Sequence, residues 1–242
     1  MAYRGLDALS TTPRLIKPGR FFAASSCPGD TVATPRSTMP SRERRAATLR
    51  YFTDCLRAEG VGPGGVDWAS ASSQQARFAA LLDLLKRDAQ RPPAPHVLDV
   101  GCGFADLYPL LLHEWPDLRY TGCDLSADHL AVARARYPRA ALLCQDIEEL
   151  LREASPGQRW DYALISGTFN LRTPRWERWV AKTLEGLWAR CRRGVAFNLL
   201  DRDVPRPPTV VTVSPAYWGC KPKPQIFLTR SLRALHTVKR RA

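Results

Sequence analysis

The spacing of apolar residues changes along this chain, and each change predicts a different kind of element. Apolar side chains recur every three to four residues over residues 41–58 and again over residues 73–89, which is typical of amphipathic helices. The run EGVGPGGVD separates the two helices, and RPPAP ends the second. From residue 96 onward, short apolar runs alternate with helical patterns. Two helices are therefore predicted to precede an α/β unit.

Five short runs in that unit predict five strands. They lie at residues 96–100, 119–124, 140–144, 161–166 and 194–200, and helices are predicted at residues 106–115, 126–136, 147–152 and 174–192. Ser126 is the expected N-cap of the second of these helices. Strands that alternate with helices form parallel sheets. The predicted fold class is a doubly wound, mostly parallel α/β sheet with helices on both faces.

The first two strand ends carry residues suited to a nucleotide-containing ligand. Asp99 leads into a turn with Gly101, Gly103 and Ala105, and Asp124 closes the second strand. The carboxylate of Asp99 would repel the pyrophosphate of a dinucleotide, whereas it favours a cationic sulfonium or ammonium group. Asp124 would accept hydrogen bonds from ribose hydroxyls in either kind of ligand. No GxxxxGK[ST] motif is present, which argues against a nucleoside triphosphate.

The next two strand ends extend the candidate site. Asp146 would accept a hydrogen bond from an adenine amine while Ile147 packs on the ring, or Asp146 only caps the short helix that follows. The run SGTFNLR (166–172) follows the fourth strand. There Asn170 would hold an amine or hydroxyl acceptor and Phe169 would form a pocket wall, or the run is an ordinary turn.

A resemblance to a known family rests on these same motifs. VLDVGCGFADL, GCDLS, CQDIEEL and DYALISGTFN, in this order within residues 60–200, resemble motifs I to IV of class I (Rossmann-like) S-adenosyl-L-methionine (SAM)-dependent methyltransferases, in a poorly characterised bacterial branch of the small-molecule type. The resemblance implies an enzyme of the EC 2.1.1 class that methylates an O or N atom of a small molecule. It implies that SAM is bound by Asp99, Gly101, Cys102, Gly103, Ala105, Asp124, Leu125, Asp146, Ile147 and Ser166. Ala105 departs from the family pattern, which usually has glycine there.

The upstream run VDWASASSQQARF resembles a lead-in to this domain in the same branch. The resemblance implies that Trp68, Gln74 and Arg77 lie over the mouth of the cofactor site. Arg77 would pair with the SAM carboxylate, or it is an exposed helix arginine.

Methyl transfer from a sulfonium needs positioning more than acid–base chemistry. We therefore expect Asn170 and Phe169 to line the acceptor, and we assign no general base. His113 and His129 are expected to be structural or exposed. No C-x-x-C or His-x-x-x-His pair occurs, so no metal site is predicted.

The sheet of this family normally has two further strands, which form an antiparallel hairpin. After residue 200 the sequence predicts a loop at 202–208, a helix at 224–235 and a sixth strand at 235–241. The seventh strand is expected to be missing or to come from residues 209–213. The hairpin is therefore expected to be incomplete.

The net charge of +13 is concentrated at the two ends of the chain. Residues 1–50 carry +6 and residues 202–242 carry +8, whereas the middle carries −1. Basic tails of this kind bind RNA or another polyanion, or are merely solvated segments of an arginine-rich protein. RNA methylation is thus an alternative function, and a SAM-fold binding protein without transferase activity is another.

These observations divide the chain into four segments. We expect a disordered basic leader at 1–40, helices covering the cofactor site at 41–92, the SAM-binding core at 93–201 and a basic, proline-rich segment at 202–242. Seven scattered cysteines and the lack of any run of eighteen apolar residues predict a cytoplasmic protein without a membrane partner. The sequence does not indicate an oligomeric state.

Overall fold

A computed structural model describes the backbone of residues 14–15, 39–199, 209–214 and 225–228, and the side chains of residues 41–198. The helices are α1 (Met39–Glu59), α2 (Ala71–Lys86), α3 (Tyr108–Glu114), α4 (Ala127–Arg136), α5 (Ile147–Glu153) and α6 (Trp176–Trp188), with a short 3₁₀ turn at Gly64–Val66. The strands are β1 (Arg14–Leu15), β2 (His96–Val100), β3 (Arg119–Asp124), β4 (Ala141–Cys144), β5 (Trp160–Ile165), β6 (Cys191–Leu199), β7 (Thr209–Ser214) and β8 (Gln225–Leu228).

The eight strands form one sheet in the spatial order β1-β8-β7-β6-β5-β2-β3-β4. Strands β2 to β6 are parallel, whereas β7, β8 and β1 pair antiparallel with their neighbours. The mostly parallel, doubly wound fold is therefore confirmed. The strand order reverses at β2, which pairs with β3 on one side and β5 on the other. Ligands bind beside such a reversal, at the carboxyl ends of the strands.

The C-terminal strands differ from the sequence prediction. β7 includes the run at 209–213, and β8 pairs antiparallel with it, so the two form the hairpin that was expected to be incomplete. The helix predicted at 224–235 is wrong over Gln225–Leu228, where the backbone is a strand. Three consecutive apolar residues there give no periodicity that separates strand from helix, and β7 offers its unpaired backbone groups. The strand predicted at 235–241 lies outside the described residues.

Residues Arg14–Leu15 pair with β8 and extend the sheet by one short strand. The predicted leader thus contributes at least these two residues to the fold. The remainder of residues 1–38 lies outside the described ranges, and its disorder stays a prediction. None of the described helices is long and apolar enough to cross a lipid bilayer.

Two apolar layers cover the parallel part of the sheet. On one face, Leu98 and Val100 of β2 pack with residues of α5 and α6, including Leu187. On the other face, Val97 packs with residues of α2, α3 and α4, including Leu111. Alternate residues of β2 point to opposite faces, and both faces are covered, which is why its three aliphatic residues, Val97, Leu98 and Val100, are all buried. Because helices cover both faces of the sheet, a ligand can reach polar groups at the carboxyl ends of the parallel strands.

A polar cluster fixes the segment after α2 against the sheet. Arg193 of β6 donates two hydrogen bonds to Asp88, through Nη2 at 2.5 Å and Nε at 2.8 Å, and Tyr162 Oη of β5 donates another at 2.6 Å. Burial opposes ionisation of Asp88, but the hydrogen bonds from Arg193 and Tyr162 outweigh it and lower the pKa of this carboxyl. The cluster ties the segment after α2 to β5 and β6 near the amino ends of these two strands.

We predict that Asp88→Asn lowers the free energy of unfolding by about 1–2 kcal/mol, because charge-assisted hydrogen bonds are lost. Since the pKa of Asp88 is lower in the folded protein, its contribution is present above the unfolded pKa of about 4 and disappears as the pH falls further. Urea titrations at pH 7 and pH 3 measure both effects. Arg192→Gln, which removes an exposed pair with Asp161, is the control and should change stability by less than about 0.5 kcal/mol. Equal losses for both variants at pH 7 would contradict the prediction.

Candidate functional site

A pocket lies at the carboxyl ends of the parallel strands, between the sheet, α1 and the Gly64–Val66 turn. It brings together residues that follow four different strands. Of the residues predicted from the sequence, the pocket is lined by Asp99, Gly101, Cys102, Gly103, Asp124, Leu125, Asp146, Ile147, Ser166 and Asn170. Trp68 and Gln74, which the resemblance placed over the mouth, also line it.

Three of the predicted residues lie outside the pocket lining. Phe169 is fully buried beneath its loop, because its ring packs edge-on against Trp179 and Phe197, so it is not a pocket wall. Arg77 is buried with its guanidinium 4.5 Å from the ring centre of Trp68, and therefore is neither exposed nor in the lining. Ala105 is fully buried within the turn after β2.

The turn after β2 is built from residues in the left-handed region of the backbone. Gly101, Gly103 and Ala105 have φ angles of 69°, 53° and 57°. The N–H groups of Gly101 and Cys102 donate to Cys123 O of β3 at 2.8 and 3.1 Å. A side chain at Gly101 would overlap Thr168 Oγ1 of the loop after β5. The turn therefore lies close to both neighbouring strand ends, and only glycine fits at its first position.

Asp124 links β3 to this turn. Its Oδ2 accepts from Gly103 N and its Oδ1 accepts from Ser126 N, both at 2.8 Å. An ionised carboxylate has about four acceptor sites, so each oxygen keeps one site for a ligand donor. The two hydrogen bonds hold the side chain in one orientation, and the remaining acceptor sites could bind two neighbouring hydroxyl groups of a ligand.

Asp99 is buried at the floor of the pocket and accepts a hydrogen bond from Tyr120 Oη at 2.8 Å. Burial raises the pKa of Asp99 to about 7; the hydrogen bond from Tyr120 opposes the rise, and nearby Asp124 and Asp106 add to it. Burial also raises the pKa of Asp124, against the backbone N–H groups that it accepts from. Two adjacent carboxyls with raised pKa favour a cationic ligand over a phosphate.

Asp146 caps α5 and also lines the pocket, while its contact with an adenine amine stays a prediction. Its Oδ1 accepts from Glu148 N at 2.7 Å, and its Oδ2 accepts from Arg44 Nη2 of α1 at 2.6 Å. Arg44 itself lines the pocket. Sequence reasoning missed Arg44, since nothing distinguishes it from the neighbouring arginines of α1.

The loop after β5 is anchored by two side chains. Asn198 of β6 is buried; its Oδ1 accepts from Gly167 N at 2.8 Å and its Nδ2 donates to Ser166 Oγ at 2.9 Å. Thr168 Oγ1 donates to Val100 O at 2.8 Å. Asn170 Oδ1 is buried without a hydrogen-bond partner, so it can accept from a ligand. Asn198 was missed, although an asparagine inside the apolar run GVAFNLL was a usable signal.

His129, which was expected to be structural or exposed, is buried, and it also lines the pocket. Its Nε2 donates to Gly65 O at 2.9 Å, Nδ1 lies 2.6 Å from Ser126 Oγ, and its ring stacks on Phe104. These contacts attach the Gly64–Val66 turn to α4. Among the described residues, no three His, Cys, Asp or Glu side chains converge as ligands for a metal ion.

Comparison with known proteins shows what the part of the chain around this site is similar to. Residues 97–188 match a family described as a methyltransferase domain. A malonyl-[acyl-carrier protein] O-methyltransferase of Acetivibrio thermocellus is 36% identical over 103 residues, which are 42% of this chain and 34% of the relative. A trans-aconitate 2-methyltransferase of Acidovorax ebreus is 33% identical over 134 residues, which are 54% of this chain and 46% of the relative. The chain thus matches less than half the length of either relative.

A solved structure has the same fold. The plantazolicin methyltransferase BpumL, in complex with a pentazolic desmethylPZN analog and SAH, superimposes with a TM-score of 0.51 at 17% identity, over 67% of this chain and 61% of that one.

We predict that Ala105→Gly lowers the free energy of unfolding less than the same substitution at an equally buried alanine without a positive φ angle. Glycine relieves the left-handed conformation, which costs other residues about 1–2 kcal/mol, and this offsets the lost methyl group and the greater freedom of the unfolded chain. Ala163→Gly in β5 is the control, because Ala163 is also fully buried and has no positive φ to relieve. Urea unfolding should show Ala163→Gly to be the more destabilising by about 1 kcal/mol. If Ala105→Gly costs as much as the control, Ala105 is not strained.

Proposed function

We propose that the chain is a class I, Rossmann-like SAM-dependent methyltransferase, which binds SAM in the strand-end pocket and methylates an O or N atom of a small molecule. The match of residues 97–188 to a methyltransferase domain and the doubly wound sheet support this. The observation that carries the proposal is the convergence of Asp99, Asp124 and Asp146, from three strand ends, on one pocket beside a glycine turn. Ribose hydroxyls, an adenine amine and a cationic amino-acid end are the groups that these carboxylates suit.

The residues present fit SAM at each end of the pocket. Asp124 keeps one acceptor site on each oxygen for the ribose hydroxyls. Asp99 lies beside the turn, where a sulfonium and an ammonium would meet a carboxylate. Leu125 and Ile147 give the apolar surface for a flat base. The tight turn at Gly101 leaves the backbone, rather than a side chain, facing the ligand.

The chemistry of the transfer asks the protein mainly for positioning. Bound SAM supplies a methyl group that is already activated on a sulfonium. The loop at 166–170 is held by Asn198 and Thr168, so its polar groups keep a fixed position beside the turn. Asn170 Oδ1 accepts from an N–H or O–H group of the acceptor and orients it. Orientation of this kind supplies several orders of magnitude in rate.

The acceptor is proposed to be a small molecule. Trans-aconitate, named for one curated relative, is a small acceptor, whereas the other relative is named for a malonyl group on an acyl-carrier protein. Most of the residues that line the pocket belong to the nearly neutral middle of the chain. The alternative RNA acceptor rests on the basic ends, most of which lie outside the described residues.

We predict transfer of a labelled methyl group from SAM to a component of a metabolite extract by the full chain, and no transfer to total RNA. Label in RNA that falls steeply with salt would favour the RNA alternative. Binding of SAM without transfer to either pool would favour a binding protein. Failure to bind SAM at about 100 μM, measured by calorimetry, would overturn the proposal itself.

We also predict that SAM binds more tightly as the pH rises from 5.5 to 7.5. The pKa of Asp99 is about 7 in the free protein, and a cation beside it lowers that pKa, so binding below pH 7 must release a proton. The dissociation constant should fall by up to about tenfold per pH unit below the pKa and level off above it. Calorimetry in buffers of different ionisation enthalpy measures the released proton directly.

Asp99→Asn is the matched control for this linkage, because its side-chain oxygen can still accept from Tyr120 Oη. Its SAM affinity should be weaker and should vary little over the same pH range. A wild-type affinity that is constant from pH 5.5 to 7.5 would show that Asp99 does not face the cationic end of the ligand.

A further inference from the structure

We propose that Arg44, on α1, positions Asp146 to bind the adenine amine of the cofactor and so makes α1 a working part of the cofactor site. The proposal rests on the proposed function, because it takes the pocket to be a SAM site. It assigns a role to a residue 102 positions away from Asp146 in the sequence, in a helix outside the matched methyltransferase domain.

Arg44 is held in one orientation by two other helices. Its side chain is 4% exposed. Nη2 donates to Asp146 Oδ2 at 2.6 Å and to Glu148 Oε2 of α5 at 3.1 Å. On its other side the guanidinium lies 4.4 Å from the ring centre of Trp179 on α6. A guanidinium between a carboxylate pair and an aromatic face makes directional contacts that lysine would not reproduce.

The ion pair leaves Asp146 able to bind a ligand. The side chain of Asp146 is only 1% exposed, and a buried carboxylate is costly unless a cation and hydrogen bonds compensate it. Arg44 supplies the cation and Glu148 N the second hydrogen bond. Each oxygen has then used one acceptor site, so each keeps one. Arg44 therefore fixes the carboxylate in place without blocking it.

The surrounding groups match the polar edge of adenine. That edge presents an amine, which donates, beside a ring nitrogen, which accepts. Asp146 is the acceptor for the amine. Two buried donors in the same cluster, Arg44 Nε and Trp179 Nε1, have no hydrogen-bond partner. In a base with an oxygen in place of the amine, that oxygen would face the carboxylate of Asp146, and two hydrogen-bond acceptors would meet.

The position of Arg44 on α1 extends this role to the helix. Thr48 and Phe52 follow Arg44 at intervals of four residues and also line the pocket, so one face of α1 covers the ligand. Phe52 contacts His129 edge-on. The ion pair between Arg44 and Asp146 therefore both holds this face of α1 over the pocket and orients the carboxylate of Asp146.

The test compares two ligands that differ at the polar edge of the base. Calorimetry on the full chain measures the affinity for S-adenosylhomocysteine and for S-inosylhomocysteine, in which an oxygen replaces the amine. The wild-type protein should prefer the adenine form by roughly 10- to 100-fold, the range expected for a hydrogen bond to a charged group. In R44M the preference should fall to within about threefold, because Asp146 is no longer oriented.

R45M is the matched control. Arg45 is the adjacent arginine; it pairs with Glu149 and lies 3.8 Å from Asp146, but it does not line the pocket. Its adenine preference should stay at the wild-type value. R44K, which keeps the charge but not the planar guanidinium, should give an intermediate preference. It also provides the comparison if R44M folds poorly in thermal melts.

The possible results separate the two proposals. Equal weakening of both ligands in R44M and R44K would mean that Arg44 only supports the fold, and an unchanged preference would mean that it plays no part; either overturns the inference. A wild-type protein that binds both ligands equally would remove Asp146 from the adenine site, and the inference with it. A wild-type protein that binds neither ligand would overturn the proposed function instead.

Discussion

The backbone turn that follows β2 is the constraint on which the rest of the site depends. Its residues take positive φ angles at Gly101, Gly103 and Ala105, and its N–H groups are tied to Cys123 O and to the Asp124 carboxylate. The turn can therefore approach the ends of β3 and β5 closely. Because parallel strands end at one edge of the sheet, fixing this turn also fixes the distances between the polar side chains of the neighbouring strands.

Charge determines which nucleotide ligand suits that arrangement. The strand ends present carboxylates, and burial raises the pKa of both Asp99 and Asp124. A pyrophosphate at the turn would meet these groups unfavourably, whereas a sulfonium with an ammonium is attracted to them. At the other end of the pocket Arg44 pairs with Asp146, so this end suits an uncharged base. Among the described residues, the carboxylates of Asp99 and Asp124 near the turn therefore lack a salt-bridge partner, whereas the carboxylate of Asp146 beside α5 is paired with Arg44.

The sheet was largely predictable because short apolar runs mark its parallel strands. The central strands β2 and β5 are mostly buried, and the edge strand β4 keeps an apolar sequence although its side chains are largely exposed. The strand-end residues were predictable because polar side chains directly after such runs share one edge. Phe169 was misplaced because its loop folds inward onto Trp179 and Phe197, which no local pattern indicates. Arg44 was missed for a similar reason, since its role depends on where α1 packs. β8 was taken for a helix because its apolar run is too short to show a period.

The most direct measurement of the central claim is a crystal structure of the full chain with S-adenosylhomocysteine. The account predicts the ribose hydroxyls on Asp124, the amino-acid end beside the Gly101–Gly103 turn and Asp99, and the adenine amine within hydrogen-bonding distance of Asp146. A ligand bound elsewhere on the sheet, or in this pocket with its base at the turn and its amino-acid end at Asp146, would contradict it.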